Sequence, residues 1–199
     1  MILDESWRLP VTGPRRTAGE LHRHEHAPTL RGTLQAPYTR GRSIREFSDC
    51  QIPLKDLVEA VEPLYREVPR AVPSAGSVYG LSFSVLTSAT DLPLNSATPV
   101  IRRRRGDLSR LVFHRLQGSF HLLVIAVETP RYVHRYGPRG RRYALIEAGH
   151  FMQVFLAEAH RRSWAVCPVG GFHDDGVAEL ISRPPWYPEP VYLAGVGRQ

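Results

Sequence analysis

The chain has 199 residues, enough for one domain with a real core or for one domain and a tail. It is 42% hydrophobic and 23% charged, ordinary proportions for a globular protein, and no run of about 18 uncharged apolar residues exists to span a membrane. The formal net charge is +7 and Lys55 is the single lysine, so arginine carries nearly all of the positive charge. Arginine grips phosphate and carboxylate through a planar fork and keeps its proton near neutral pH. Beside a simple compositional bias, this points to an anionic ligand rather than to nucleic acid. The run Arg102–Arg105 is not interleaved with aromatics, and no nucleic-acid recognition motif is visible. Cys50 and Cys167 are too far apart to suggest a disulfide framework. The start Met-Ile-Leu-Asp-Glu-Ser-Trp lacks a basic segment followed by an apolar one, so a cytoplasmic protein is expected.

Residues 1–39 are rich in Pro, Gly, Thr, Arg and His without a sustained period and read as an N-terminal extension, mobile or irregular. Within it His22, His24 and His26 alternate, but no neighbouring cysteine or further histidine pair completes a metal site. Residues 40–199 read as the folded domain. Leu54 to Val68 has helical apolar spacing; Pro53 suits its start and Pro63 is expected to kink or divide it. Leu81 to Thr87 alternates as a half-buried strand does, and Asp91 to Gly106 reads as a loop. A short helix is expected over Asp107 to Leu116. Leu122 to Val127 is a continuous apolar run, as in a central strand buried on both faces. Arg141 to Ser163 is the longest helix, apolar nearly all round and so buried in the core of a domain or a dimer. Trp164 to Val169 reads as extended, Asp174 to Ile181 as a short helix, and Val191 to Val196 as a last strand. Strands and helices mix without strict alternation, which fits an α+β sandwich.

Several short segments carry candidate chemistry. Arg42, Ser43 and Arg45 put two cationic forks and a hydroxyl within four residues, a set able to hold a phosphate. Pro73, Ser74, Ala75 and Gly76 form a turn signal whose small residues let the backbone approach a flat ring. Gly170 and Gly171 allow backbone N–H groups to face a ligand. Arg198, after the last strand, adds a further cation. Glu147 and His150 share one helix face; they read as a polar pair satisfying each other more readily than as an acid–base couple. Cys167 has no neighbouring base and reads as a small packed residue.

Taken in order, Arg42–Phe47, Pro73–Gly76, Tyr143–Gln153, Cys167–Phe172 and Gly195–Arg198 resemble the FMN-dependent nitroreductase superfamily. The Pro-Ser-Ala-Gly step and the Glu147-Ala148-Gly149-His150 helix resemble its SagB-like branch, the peptide azoline dehydrogenases. The resemblance implies a nitroreductase-like α+β fold, with a central mixed or antiparallel sheet flanked by helices. It also implies an intertwined homodimer with FMN at the subunit interface. Carried over residue by residue, Arg42, Ser43, Arg45 and Arg198 would meet the flavin phosphate. Pro73, Ser74, Ala75 and Gly76 would lie beside the isoalloxazine, often from the partner subunit. Gly170 and Gly171 would bring backbone amides to flavin N5. Relatives in the azoline branch carry a Lys-Tyr pair that supports proton removal from the ring. Tyr136 matches it, whereas Arg135 replaces the lysine and, unable to give up its proton, could only anchor or polarise. The chain also lacks the Gly-Leu-Tyr-x-Tyr segment of many relatives.

Three functions follow from the resemblance. The first is oxidation of a thiazoline or oxazoline in a peptide to the azole, alongside other biosynthetic enzymes. The second is NAD(P)H-dependent reduction of a nitro group, quinone or activated alkene. The third is a degenerate, non-catalytic member that binds a peptide or serves as a partner subunit.

Overall fold

The structure, a computed structural model, describes residues 42–66, 71–88, 100–103, 107–182 and 188–199. The expected extension at 1–39 and its histidine tract lie outside the described residues. The chain runs α1 (Leu54–Arg66), β1 (Leu81–Thr87), β2 (Val100–Arg103), β3 (Phe120–Val127), α2 (Thr129–Tyr136), α3 (Gly140–Arg161), β4 (Ala165–Val169), α4 (Asp174–Ile181) and β5 (Glu189–Gly197). Among the described residues the sheet has five strands in the order β2-β1-β3-β5-β4. β2 runs parallel to β1, and the other pairings are antiparallel. The fold is the expected α+β, mixed-sheet architecture.

β3 lies at the centre, and all eight of its residues are buried. Its period-two alternation divides the core. Leu123, Ile125 and Val127 face one layer, where α1 and α3 contribute Leu57, Val61, Ala148, Phe151 and Phe155. Leu122, Val124 and Ala126 face the other, with Phe47, Leu108, Leu111, Phe172 and the α4 residues Val177 and Ile181. Helix α3 is the longest element at 22 residues. Its inner face is buried, while Leu145 and Ile146 remain 47% exposed on its outer face.

Three expectations need correction. Pro63 does not divide α1, which continues through it to Arg66; the proline gives up its own N–H bond, and only Leu64, Tyr65 and Arg66 follow it in the helix. The loop expected over 91–106 contains β2, an edge strand that pairs with β1 through Val100–Arg103. An edge tolerates charge that a central strand would not, so the arginines hid it. The helix expected over 107–116 reduces to one 3₁₀ turn, Leu108–Leu111, capped by the Asp107 side chain. In addition, α2 is a helix that periodicity did not suggest, because Tyr132 is its one buried residue. Its punctuation is nevertheless in the sequence: a proline in the first turn and Gly137 at the end.

Candidate active site

The proposed ligand-holding residues fall into two clusters. The first lies along the outer edge of β4. Ile44 N–H donates to Val166 O at 3.0 Å, laying the Arg42–Glu46 segment beside the strand. Gln117 N–H donates to Arg45 O and Phe47 N–H to Gln117 O, both at 2.9 Å. Ser48 N–H donates to Arg198 O at 2.8 Å, tying the arm to the end of β5. Phe47 is the anchor: it is buried, its ring lies 5.3 Å from that of Phe120, and it fills the space over Gly197. A Cβ on Gly197 would stand 2.6 Å from Phe47 Cδ1, so glycine makes room for the anchor. With backbone and anchor fixed, Arg42, Ser43, Arg45 and Arg198 stay exposed along one edge. Two cationic forks, a hydroxyl and a C-terminal cation, held by backbone bonds, form a donor set that fits a phosphate. Arg45 also acts on Cys167. Burial raises the Cys167 thiol pKa and the Arg45 charge opposes that rise, so Cys167 is a packed thiol, as expected.

Gly170 and Gly171 follow β4. Gly170 is exposed, and a Cβ there would meet nothing within 4 Å. At Gly171 a Cβ would stand 3.0 Å from Phe113 Cδ2, and its carbonyl accepts from Phe113 N–H at 3.0 Å. Neither adopts positive φ among the described residues. Their usefulness to a ligand lies in the missing side chains, not in unusual backbone angles.

The second cluster gathers Pro73, Ser74, Ala75 and Gly76 with Arg135 and Tyr136. Gly76 has φ +55°, in the left-handed region that favours glycine. It also has no room for a side chain. A Cβ would collide with the Tyr136 hydroxyl and stand 2.7 Å from Arg135 Nε. The Arg-Tyr pair therefore rests on the backbone of this turn. Tyr136 is half-buried, set edge-on to Tyr143 at 4.8 Å, with the Arg135 guanidinium 5.8 Å from its ring centre. Glu147 on α3 is 1% exposed and does not pair with His150. Tyr65 OH donates to its Oε1 at 2.9 Å, and Ser74 Oγ donates to its Oε2. His150 is exposed, with Nδ1 3.4 Å from Pro73 O. Burial first, and then Glu147, push the phenols of Tyr65 and Tyr132 well above the ordinary tyrosine range, so both remain protonated donors.

Sequence reasoning named Ser74 and Glu147 but missed Tyr65, which joins them at the carboxylate, and Tyr132, which receives Gly80 N–H beside them. Tyr65 and Glu147 are 82 positions apart, and no local spacing joins them. Arg131 was missed as well; it donates to Val78 O and Tyr79 O and so holds the far end of the same turn.

The two clusters pack against opposite faces of the sheet. Phe47 and Cys167 belong to the α4 side of the core, whereas Val72, Val78 and Tyr132 belong to the α3 side. Among the described residues no group of three metal-ligating side chains is close enough to hold an ion. No described helix is long and apolar enough to cross a membrane.

The comparisons with known proteins identify the family to which this mixed sheet between helical layers belongs. Residues 39–198 match the nitroreductase family model, and the chain belongs to that family of oxidoreductases, whose cofactor is FMN. A protein of Methanocaldococcus jannaschii named as a nitroreductase is 25% identical over 183 residues, 83% of this chain and 91% of the relative. Among solved structures, the Escherichia coli microcin synthetase McbBCD complex with truncated pro-MccB17 bound is similar with TM-score 0.62 and 14% identity. That match covers 82% of this chain and 71% of that one. A nitroreductase of Exiguobacterium sibiricum in complex with FMN is similar with TM-score 0.55 and 15% identity, over 79% of this chain and 83% of that one. At these identities the two structural matches speak for the fold.

Proposed function

We propose that the chain is an FMN-dependent oxidoreductase that oxidises thiazoline or oxazoline rings of a peptide to azoles. The observation that carries this reading is the seating of Tyr136 and Arg135 on Gly76, within a turn fixed by the buried Glu147. It places a phenol and a fixed cation together, at the turn the family resemblance sets beside the flavin ring. The structural likeness to a chain of the microcin synthetase complex supports a peptide substrate.

Arg42, Ser43, Arg45 and Arg198 would hold the FMN phosphate. Gly170 and Gly171, bare of side chains, would admit the ring, and Pro73 to Gly76 would border it. When bound, FMN supplies two-electron chemistry, accepting the hydride that an azoline ring loses, with oxygen as the final oxidant. Acting as its phenolate, Tyr136 would receive the proton lost from the neighbouring ring carbon and become the neutral phenol. Arg135, which stays charged, anchors the peptide. Because the two clusters lie on opposite faces of one sheet, a site made from both takes one cluster from each of two chains. We therefore read the protein as a homodimer, joined through the exposed outer face of α3, where Leu145 and Ile146 stand 47% exposed. Residues 40–199 form the catalytic domain in this reading, and 1–39 an extension to it.

The names of the relatives favour a second reading, reduction of a nitro group or quinone at the expense of NAD(P)H. A Tyr136→Phe variant separates the two. The first reading expects azoline oxidation to fall about a hundredfold, in the range of lost general-base assistance. Unchanged turnover removes Tyr136 from that role.

A further inference from the structure

Three consecutive backbone N–H groups enter β1, and each donates to a hydroxyl instead of to a carbonyl. Tyr79 N–H donates to Ser74 Oγ at 3.0 Å, Gly80 N–H to Tyr132 OH at 2.9 Å, and Leu81 N–H to Tyr65 OH at 2.8 Å. Each hydroxyl then has one proton left to give. Those of Tyr65 and Ser74 go to the two oxygens of Glu147. A carboxylate accepts only, and each of its two oxygens here takes one of these protons. Between Ser74 and Leu81 the chain carries left-handed angles at Gly76 (φ 55°), Ser77 (φ 56°) and Tyr79 (φ 46°). Two of these residues are not glycine, and such conformations persist only where the surroundings over-determine them. Here the surroundings are the hydroxyl relay to Glu147 and the Arg131 bonds to Val78 O and Tyr79 O.

We propose that Glu147 is a positioning residue for the active site: through Ser74 and Tyr65 it sets the turn whose Gly76 seats Tyr136 and Arg135. The inference rests on the proposed role of Tyr136, but its geometry concerns the protein alone. The bonds of Glu147 to Tyr65 and Ser74 place its influence on the backbone between Ser74 and Leu81.

The test uses the full chain free of FMN, with tyrosines labelled at the phenol carbon, and nuclear magnetic resonance to read the Tyr136 signal, assigned by its loss in Tyr136→Phe. Glu147→Gln keeps the shape but replaces one acceptor oxygen by a donor, leaving a hydroxyl proton without an acceptor. Ser74→Ala breaks the same relay at a half-buried position that a fold tolerates better. Both variants should move the Tyr136 signal, and both should weaken FMN binding about tenfold, the factor that corresponds to about 1.4 kcal/mol. A Tyr136 signal that stays in place in both variants, while the melting temperature falls, would reduce Glu147 to a structural role and overturn the proposal. If Glu147→Gln does not fold, Ser74→Ala decides alone. A wild-type chain that takes up no FMN would count against the proposed function, and the Tyr136 signal would still decide the role of Glu147. An unchanged FMN affinity in variants whose Tyr136 signal has moved would place the turn away from the flavin, again counting against that reading alone.

Discussion

Replacing Gly76 by alanine should leave the protein folded and disable it. Two costs arise. An L-residue at φ +55° is disfavoured by about 1–2 kcal/mol. The new Cβ would also stand 2.7 Å from Arg135 Nε and 2.9 Å from Arg135 Cζ, and would overlap the Tyr136 hydroxyl. Ordinary contacts of this kind are about 3.5–4.0 Å, so these groups must withdraw by about 1 Å. All of them are the far ends of flexible side chains, and they can withdraw cheaply. The stability loss should therefore stay near about 1–2 kcal/mol, a fall in melting temperature of about 2–8 °C for a chain of this size. Activity should suffer more, because a proton acceptor displaced by about 1 Å can lose about a hundredfold in rate. The assay is thermal unfolding beside turnover of a peptide thiazoline. Full turnover in Gly76→Ala would refute the claim that this turn seats the working residues. Complete unfolding would show that the turn is braced more rigidly than the side-chain argument allows.

Other perturbations follow from the same geometry. Arg45→Ala should weaken FMN binding about tenfold or more, the usual worth of a charge-assisted bond, as read by flavin titration. Unaltered binding would remove the arm from the phosphate site. Leu145→Glu, on the exposed face of α3, should shift the mass seen by light scattering from dimer to monomer; an unchanged mass would move the interface elsewhere. His121 is buried, with Nε2 2.7 Å from Ile52 O and Nδ1 2.9 Å from Thr87 Oγ1. Burial holds its pKa below the ordinary 6.5. The unfolded chain thus binds the proton first, so the His121 contribution to stability is complete above pH 6.5. It is lost as pH falls from there toward the folded pKa, by at most about 1.4 kcal/mol per pH unit. Unfolding curves taken downward from neutral pH should show that slope, and His121→Gln should flatten it.

The regular parts of the fold were legible because their burial is one-sided or complete. β3 is buried at every residue, and its stretch Leu122–Val127 reads as an unbroken apolar run, while β1 alternates as its burial does. Polar elements hid themselves. β2 carries arginines that an edge strand tolerates, and α2 buries only Tyr132, so neither leaves a periodic trace. The candidate site divided in the same way. Short motifs such as Arg42–Arg45 and Pro73–Gly76 are local and were found. The link from Glu147 to Tyr65 crosses 82 positions, and that to Ser74 crosses 73. Such contacts come from the packing of α1 and α3 on one face of the sheet, which no spacing encodes. Glu147 and His150 were paired on paper because they share a helix face. In the structure Glu147 turns inward to the hydroxyls and His150 outward to the Pro73 carbonyl, so the two work on the same turn without touching each other.

The most direct test of the account is the visible absorption spectrum of the purified protein, before and after FMN is supplied, and then with NADPH in the absence of air. The account predicts bound oxidised flavin that NADPH leaves unbleached and that loses its colour when a peptide thiazoline is added. Rapid bleaching by NADPH would contradict the dehydrogenase reading in favour of a reductase. A protein that retains no flavin would contradict the assignment of Arg42, Ser43, Arg45 and Arg198 altogether.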